Sequence, residues 1–209
     1  MKIILDVDYD FFFNNEHSIS TYPWKKYDTN PEEFYKLHSH YNFIPVVQHD
    51  EALMKWDNDG LFDTVCVHFD HHHDLYIDLS TFFSLKAGQR LTGIHCGNYL
   101  AHAIKDGIIR QLIWVYPDNK ILPSIPYELK KILNKYVAIS VLSYSQYIRD
   151  WYPRIIKSDV VNAVSALSPD FVPANFFNDF YKFHTVDQDF KTLSAEFAFK
   201  SILLGTYPS

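Results

Sequence analysis

The chain has 209 residues, a formal charge of −6 and 47% hydrophobic side chains, which suits one domain spanning residues 1–209 and is too apolar for a disordered segment. The acidic balance, with no dense Lys/Arg cluster, argues against a nucleic-acid backbone or an anionic membrane as partner. Cys66 and Cys96 lack CxxC spacing, and the apolar run before Asp6 is only three residues long, so the reading is a cytoplasmic protein with reduced thiols and neither signal peptide nor membrane span.

The first element, KIILDVD at 2–8, reads as a strand. Residues 11–41 are irregular, with Asn14, Asn15, Pro23, Asn30 and Pro31, and carry one short helix at PEEFYKLH; such a connection is placed to cover the mouth of a site. FIPVVQ at 43–48 and DTVCVHF at 63–69 are strands, separated by a helix at DEALMKWDND, 50–59. A second irregular stretch, 74–93, follows. CGNYLAHAIKDGII at 96–109 has helical spacing, RQLIWVY at 110–116 is a strand, and PYELKKILNKY at 126–136 is a helix with lysines outward. YVAISVL at 136–142 and VVNAVSAL at 160–167 complete six strands, and the tail at 187–205 reads as a docking helix. Alternating strands and helices predict a three-layer α/β/α domain with a mainly parallel sheet, whose ligands collect at the carboxyl ends of the strands.

Two stretches at such strand ends carry chemistry. In FDHHHDLY, Asp70, His72 and Asp74 recur every second residue and share one face of an extended segment, while His71 and His73 point elsewhere. Buried carboxylates side by side are costly unless a cation neutralises them, and a divalent ion does so while accepting imidazole nitrogen. In LDVDYDFF, Asp6, Asp8 and Asp10 alternate in the same way after an apolar run, with no basic residue adjacent. Two acidic clusters imply two ions, since bridging carboxylates commonly hold a pair ~3.5 to 4 Å apart. His49, in VVQHDEAL, sits at a third strand-to-helix turn.

These stretches resemble the arginase and agmatinase (ureohydrolase) superfamily, whose fold also includes the zinc deacetylases. VVQHDEAL is similar to that family's Gly-Gly-Asp-His turn without its glycines, FDHHHDLY to its DxHxD strand end and LDVDYDFF to its SxDxD strand end; His49 and Asp70 are 21 residues apart, as in the family. The resemblance implies an arginase-like fold with metal ligands His49, Asp70, His72, Asp74, Asp8 and Asp10, and puts Asp6 in the place of the family's serine, behind the ligands; a register using Asp6 and Asp8 stays open. The DxD strand comes first in this chain, so the strand order looks permuted. That order, with GNYL and SPDFVP, resembles the peptide arginases of ribosomal peptide biosynthesis, which hydrolyse arginine side chains in a peptide to ornithine and urea.

On this reading the cofactor is two Mn²⁺ ions, because a ligand set rich in carboxylate suits manganese better than zinc. His95, in TGIHCGNYL, is the expected proton donor to the leaving amine, with capping of the helix near Gly97 as the alternative; Asp74 joins it in the catalytic set. His73, Asn98, Ser168 and Asp170 are candidates for substrate contact or ligand support, Asn98 leaning to a helix cap and Ser-Pro-Asp being equally suited to a plain turn. The carboxylate for a guanidinium is not identified; Asp78, Glu16, Asp170 and Glu196 are the candidates. The expected partner is an arginine-containing precursor peptide, and a homo-oligomer is left open. A small-molecule ureohydrolase or deacetylase-like amidohydrolase, and a noncatalytic metal-binding protein, are the alternatives.

Overall fold

Six strands form where Val, Ile and Leu concentrate: β1 (Lys2–Asp8), β2 (Ile44–Val46), β3 (Thr64–Phe69), β4 (Ile109–Tyr116), β5 (Ala138–Ser143) and β6 (Asp159–Ala166). The structure is a computed structural model that describes residues 1–13, 29–84, 93–118 and 124–204. All strands are parallel, in the order β2-β6-β1-β3-β4-β5. Helices α1 (Pro31–Leu37), α2 (Glu51–Asn58), α3 (Leu79–Ser84), α4 (Tyr99–Lys105), α5 (Tyr127–Leu133), α6 (Tyr144–Gln146), α7 (Tyr152–Ile155), α8 (Phe177–Phe183) and α9 (Gln188–Leu204) connect and follow them.

Alternation along the central strands divides the core. Ile4, Cys66, Leu112, Trp114 and Val164 face Trp56 of α2, Leu100 of α4 and Leu133 of α5. Ile3, Leu5, Val7, Val67, Phe69 and Val115 face the other layer, where Phe34 of α1, Tyr147, Ile155 of α7 and Phe180 of α8 pack. This is the expected three-layer α/β/α arrangement. β1 and β3 are buried almost throughout, as near-continuous apolar runs covered on both faces must be, and each large side chain so buried contributes roughly 1.5–3 kcal/mol.

Boundaries depart from the sequence reading most at β2 and at the two ends of α4, and α5 stops at Leu133 instead of Tyr136. β2 is three residues long instead of six, because it is the edge strand and Pro45 offers no N–H to a ladder. The helix read over 96–109 begins only at Tyr99, since Gly97 and Asn98 belong to a turn. It ends before Gly107, whose φ of +78° and approach to the Phe62 ring suit glycine alone; a Cβ there meets that ring at 2.8 Å. In the two irregular stretches, α1 and α3 form as short helices, while residues 14–28 and 85–92, including Glu16, lie outside the described residues.

The topology creates one place for a site. From β1, the chain crosses to β2 on one side, returns to β3 on the other, and reaches β6 last, between β2 and β1. The direction of winding therefore reverses about β1, and the carboxyl ends of β1, β2, β3 and β6 open at that reversal.

Candidate metal centre

Each of these four strand ends delivers polar side chains into one buried cluster. β1 ends in Asp8, with Asp6 two residues earlier on the same face as Ile4, and a tight turn, Tyr9–Phe12, carries Asp10 onward. All three carboxylates are buried. β3 leads into Asp70, where the chain leaves the extended conformation: His72 N–H donates to Asp70 Oδ1 at 2.7 Å, and Asp74 has φ +47°. Asp70, His72 and Asp74 therefore reach one cluster through a bent loop, not through the extended segment that their spacing suggests. β2 leads through Val47 and Gln48 to His49, one residue before the Asp50 that precedes α2.

His49 is the centre of the first group. Its Nδ1 lies 3.2 Å from Asp8 Oδ2, 3.3 Å from Asp74 Oδ2 and 3.5 Å from Asp70 Oδ2. His72 anchors the second, its Nδ1 3.4 Å from Asp70 Oδ1 and 3.6 Å from Asp10 Oδ2. Asp70 thus presents Oδ1 to His72 and Oδ2 to His49, with His68 Nε2 also 3.3 Å from Oδ2. All six residues identified as ligands from the sequence fall within these two groups.

Behind them, Asp6 is fully engaged by protein donors. His49 Nε2 is 3.1 Å from its Oδ1, and His68 Nδ1 at 2.9 Å and the Tyr99 hydroxyl at 2.6 Å meet its Oδ2. Holding His49 by Nε2 leaves Nδ1 facing the carboxylates, the usual way in which an outer carboxylate fixes the tautomer of a ligating histidine. Of the two registers left open for the DxDxD stretch, Asp8 and Asp10 face the Nδ1 atoms of His49 and His72, while Asp6 meets His49 at Nε2 and His68 at Nδ1. Ser168, just after β6, donates from Oγ to Asp8 Oδ2 at 2.8 Å from a left-handed backbone, φ +51°.

The donor set fits a cation. His49 Nδ1 and Asp70 Oδ2 are buried polar atoms without a hydrogen-bond partner, and they point at each other's group. Orphaned polar atoms at such depth cost on the order of 1–3 kcal/mol each, and a shared positive ion relieves both. The titration pattern without an ion shows the same stress. Burial would raise Asp70, but the imidazoles of His49, His68 and His72 outweigh it and hold its carboxyl well below the usual range. Burial and the Asp70 charge push Asp74 up to about 7, so of this pair Asp74 is the one that gives way. Burial would lower His72, yet Asp70, Asp10 and Asp74 carry it to about 9, and Asp6 and Asp8 likewise drive His49 well above its ordinary value.

A cavity of about 460 Å³ opens over Asp8, His72 and Asp74, walled by Tyr76, His95, Cys96, Gly97 and Phe171. His95 Nδ1 accepts from Gly97 N–H at 3.1 Å, so one ring both braces the turn before α4 and lines the cavity. Asn98 stands at the N-cap position of α4 but makes no cap hydrogen bond. Its Oδ1 accepts from His95 N–H and its amide donates to Gly93 O, both at 3.0 Å, so it ties the loop that carries His95; the cap reading is corrected accordingly. The tie wins because it satisfies both ends of the amide at once.

Other candidates lie apart from the cluster. His71 turns to Phe13 O at 2.5 Å, and the His73 ring sits between Tyr76 and Trp114 while its Nδ1 accepts from Leu75 N–H. Asp170 accepts from Gln48 Nε2 at 3.3 Å, beside the turn that carries His49. Asp78 binds Ser80 and Thr81 at the start of α3, and Glu196 is exposed on α9. Sequence reasoning missed His68, Tyr99, Tyr76 and Phe171. His68 had a signal, being two residues before Asp70 and on the same face of β3; Tyr99 had none, as it reads as a core position of an amphipathic helix.

Compared with protein-family models, with curated proteins and with solved structures, the chain matches none.

Proposed function

We propose that this protein is a dimanganese hydrolase that converts arginine side chains in a peptide to ornithine with release of urea. The observation that carries the reading is Asp70, whose two carboxylate oxygens face two different imidazoles, His49 and His72, each backed by further carboxylates. On this reading His49, Asp8, Asp70 and Asp74 hold one ion, and His72, Asp10 and Asp70 hold the other. Four carboxylates against two imidazoles favour Mn²⁺ over zinc. Two divalent ions held there would supply an acidified water and a Lewis acid for the group under attack.

The chain's own residues supply the rest. Water adds to the guanidinium carbon, the bond from that carbon to the side-chain nitrogen breaks, and the leaving amine takes a proton; one guanidinium and one water become one ammonium and one urea. His95 accepts from Gly97 N–H at Nδ1, which leaves Nε2 to hold the proton that the amine takes. Tyr76 and Phe171 give the cavity aromatic walls suited to a flat cation. The motifs of His49, DxHxD and DxDxD support the ureohydrolase class, and the free thiols of Cys66 and Cys96 are in keeping with a cytoplasmic location. No helix among the described residues is long and apolar enough to cross a membrane.

The test is to incubate Mn²⁺-loaded protein with arginine-containing peptides, with free arginine and with acetyl-lysine peptides, and to follow mass and urea. The expected product is a peptide lighter by one CH₂N₂ for each arginine converted, with urea in equal amount. Turnover of free arginine alone assigns a small-molecule ureohydrolase, deacetylation alone assigns an amidohydrolase, and no turnover by protein that holds its metal contradicts the hydrolase reading.

A further inference from the structure

His68 lies in the middle of the cluster without belonging to the ligand set. It is fully buried on β3 and stands directly beside Asp6 of β1 in the parallel register. Its Nδ1 is 2.9 Å from Asp6 Oδ2, and its Nε2 is 3.1 Å from the backbone carbonyl of His72. Both partners are oxygen acceptors, so the protonated ring donates from both nitrogens and keeps no lone pair for a metal; Nε2 also stands 3.3 Å from Asp70 Oδ2, and the ring is near enough to Asp70 and Asp74 to form a candidate ligand group with them.

We propose that His68 is a positioning residue for the metal centre, a clamp between the Asp6 carboxylate of β1 and the bend of the Asp70–His72 loop. This rests on the dinuclear reading above. The loop needs such a clamp because it leaves the sheet at Asp70 and turns through Asp74 in a left-handed conformation, so the ladder no longer fixes where His72 points. The carbonyl belongs to the same residue as that ligand ring, and His68 holds it. At its other end His68 shares Asp6 with His49 and Tyr99, so one carboxylate ties the histidine of the first ion group to the loop of the second. The arrangement links two strand ends whose ligands must meet the same pair of ions.

The experiment compares wild type, His68→Phe, His68→Gln and Asp6→Asn by Mn²⁺ titration of the metal-free protein and by melting in chelator. The expected result is that His68→Phe still takes up two ions but binds them ~10 to 100-fold more weakly, as loss of an outer partner does. His68→Gln, which restores one donor, recovers part of that affinity, and Asp6→Asn shows the same weakening with retained stoichiometry. It also serves as the informative variant should His68→Phe fail to fold. Loss of a whole ion in both His68 variants makes His68 a ligand and overturns the proposal. Normal affinity with only a lower melting temperature makes it a packing residue and also overturns it. No Mn²⁺ uptake by wild type removes the dinuclear reading itself, and this inference with it.

Discussion

Ser168 offers a quantitative check on how the site is built. Its Oγ donates to the buried Asp8 carboxylate at 2.8 Å, and its backbone is left-handed at φ +51°. Ser168→Ala removes a hydrogen bond to a charged group, worth about 1.5–3 kcal/mol, and keeps the strained backbone. Ser168→Gly loses the same bond but is freed from left-handed strain of roughly 1–2 kcal/mol, of which about 0.5–1 kcal/mol is returned as extra entropy of the unfolded chain. Stability should therefore rank wild type first, glycine second and alanine last. At about 2–4 °C per kcal/mol for a chain of this size, alanine melts ~3 to 12 °C below wild type, and glycine a few degrees above alanine. Calorimetry of the metal-free proteins in chelator measures this. An alanine variant as stable as wild type, or more stable than the glycine variant, would refute either the Ser168–Asp8 bond or the left-handed backbone.

Three further outcomes follow from the same geometry. Tyr99→Phe keeps the buried ring but removes the 2.6 Å donor to Asp6, so it should weaken Mn²⁺ binding ~10-fold or more with two ions still bound; affinity equal to wild type in calorimetry contradicts this. His95→Ala should retain both ions and lose ~10² to 10⁴ in turnover, whereas a metal-replete variant of near-normal rate removes His95 from the proton transfer. His38 is buried between Phe34 O at 2.8 Å and the Tyr147 hydroxyl at 3.0 Å, and burial pushes its imidazole down to about 4 against ~6.5 in the unfolded chain. The folded state therefore favours neutral His38, and this stability is full above ~6.5 and fades as pH falls toward 4. The stability gap between wild type and His38→Gln in urea should shrink by about 2 kcal/mol from pH 7 to pH 5, and an unchanged gap rules out the burial effect.

The strands were legible because period-two burial and β-branched runs are local signals, and all six form where Val, Ile and Leu concentrate. β2 came out short for a tertiary reason, its edge position, which a stretch such as FIPVVQ does not announce. The ligand types at Asp8, Asp10, His49, Asp70, His72 and Asp74 were legible as residue types at strand ends. That they share one centre came from the family resemblance; the route by which they meet was not legible, since it depends on β6 inserting between β2 and β1 and on Asp74 adopting φ +47° to bring its carboxylate back. Tyr99 shows the limit most plainly. It is the first residue of α4, an ordinary apolar position by periodicity, and only the packing of that helix under β1 brings its hydroxyl to Asp6. Asn98 failed in the opposite sense, since its position suggested a cap while two backbone groups of the neighbouring turn claimed its side chain.

The central claim is that Asp70 bridges two ions, and titration of the metal-free protein with Mn²⁺, read by calorimetry and electron paramagnetic resonance, tests it most directly. The account predicts two ions per chain with a spin-coupled signal, and loss of that coupling in the isosteric Asp70→Asn variant. A single uncoupled ion in wild type, or a coupled pair that survives in Asp70→Asn, would contradict it.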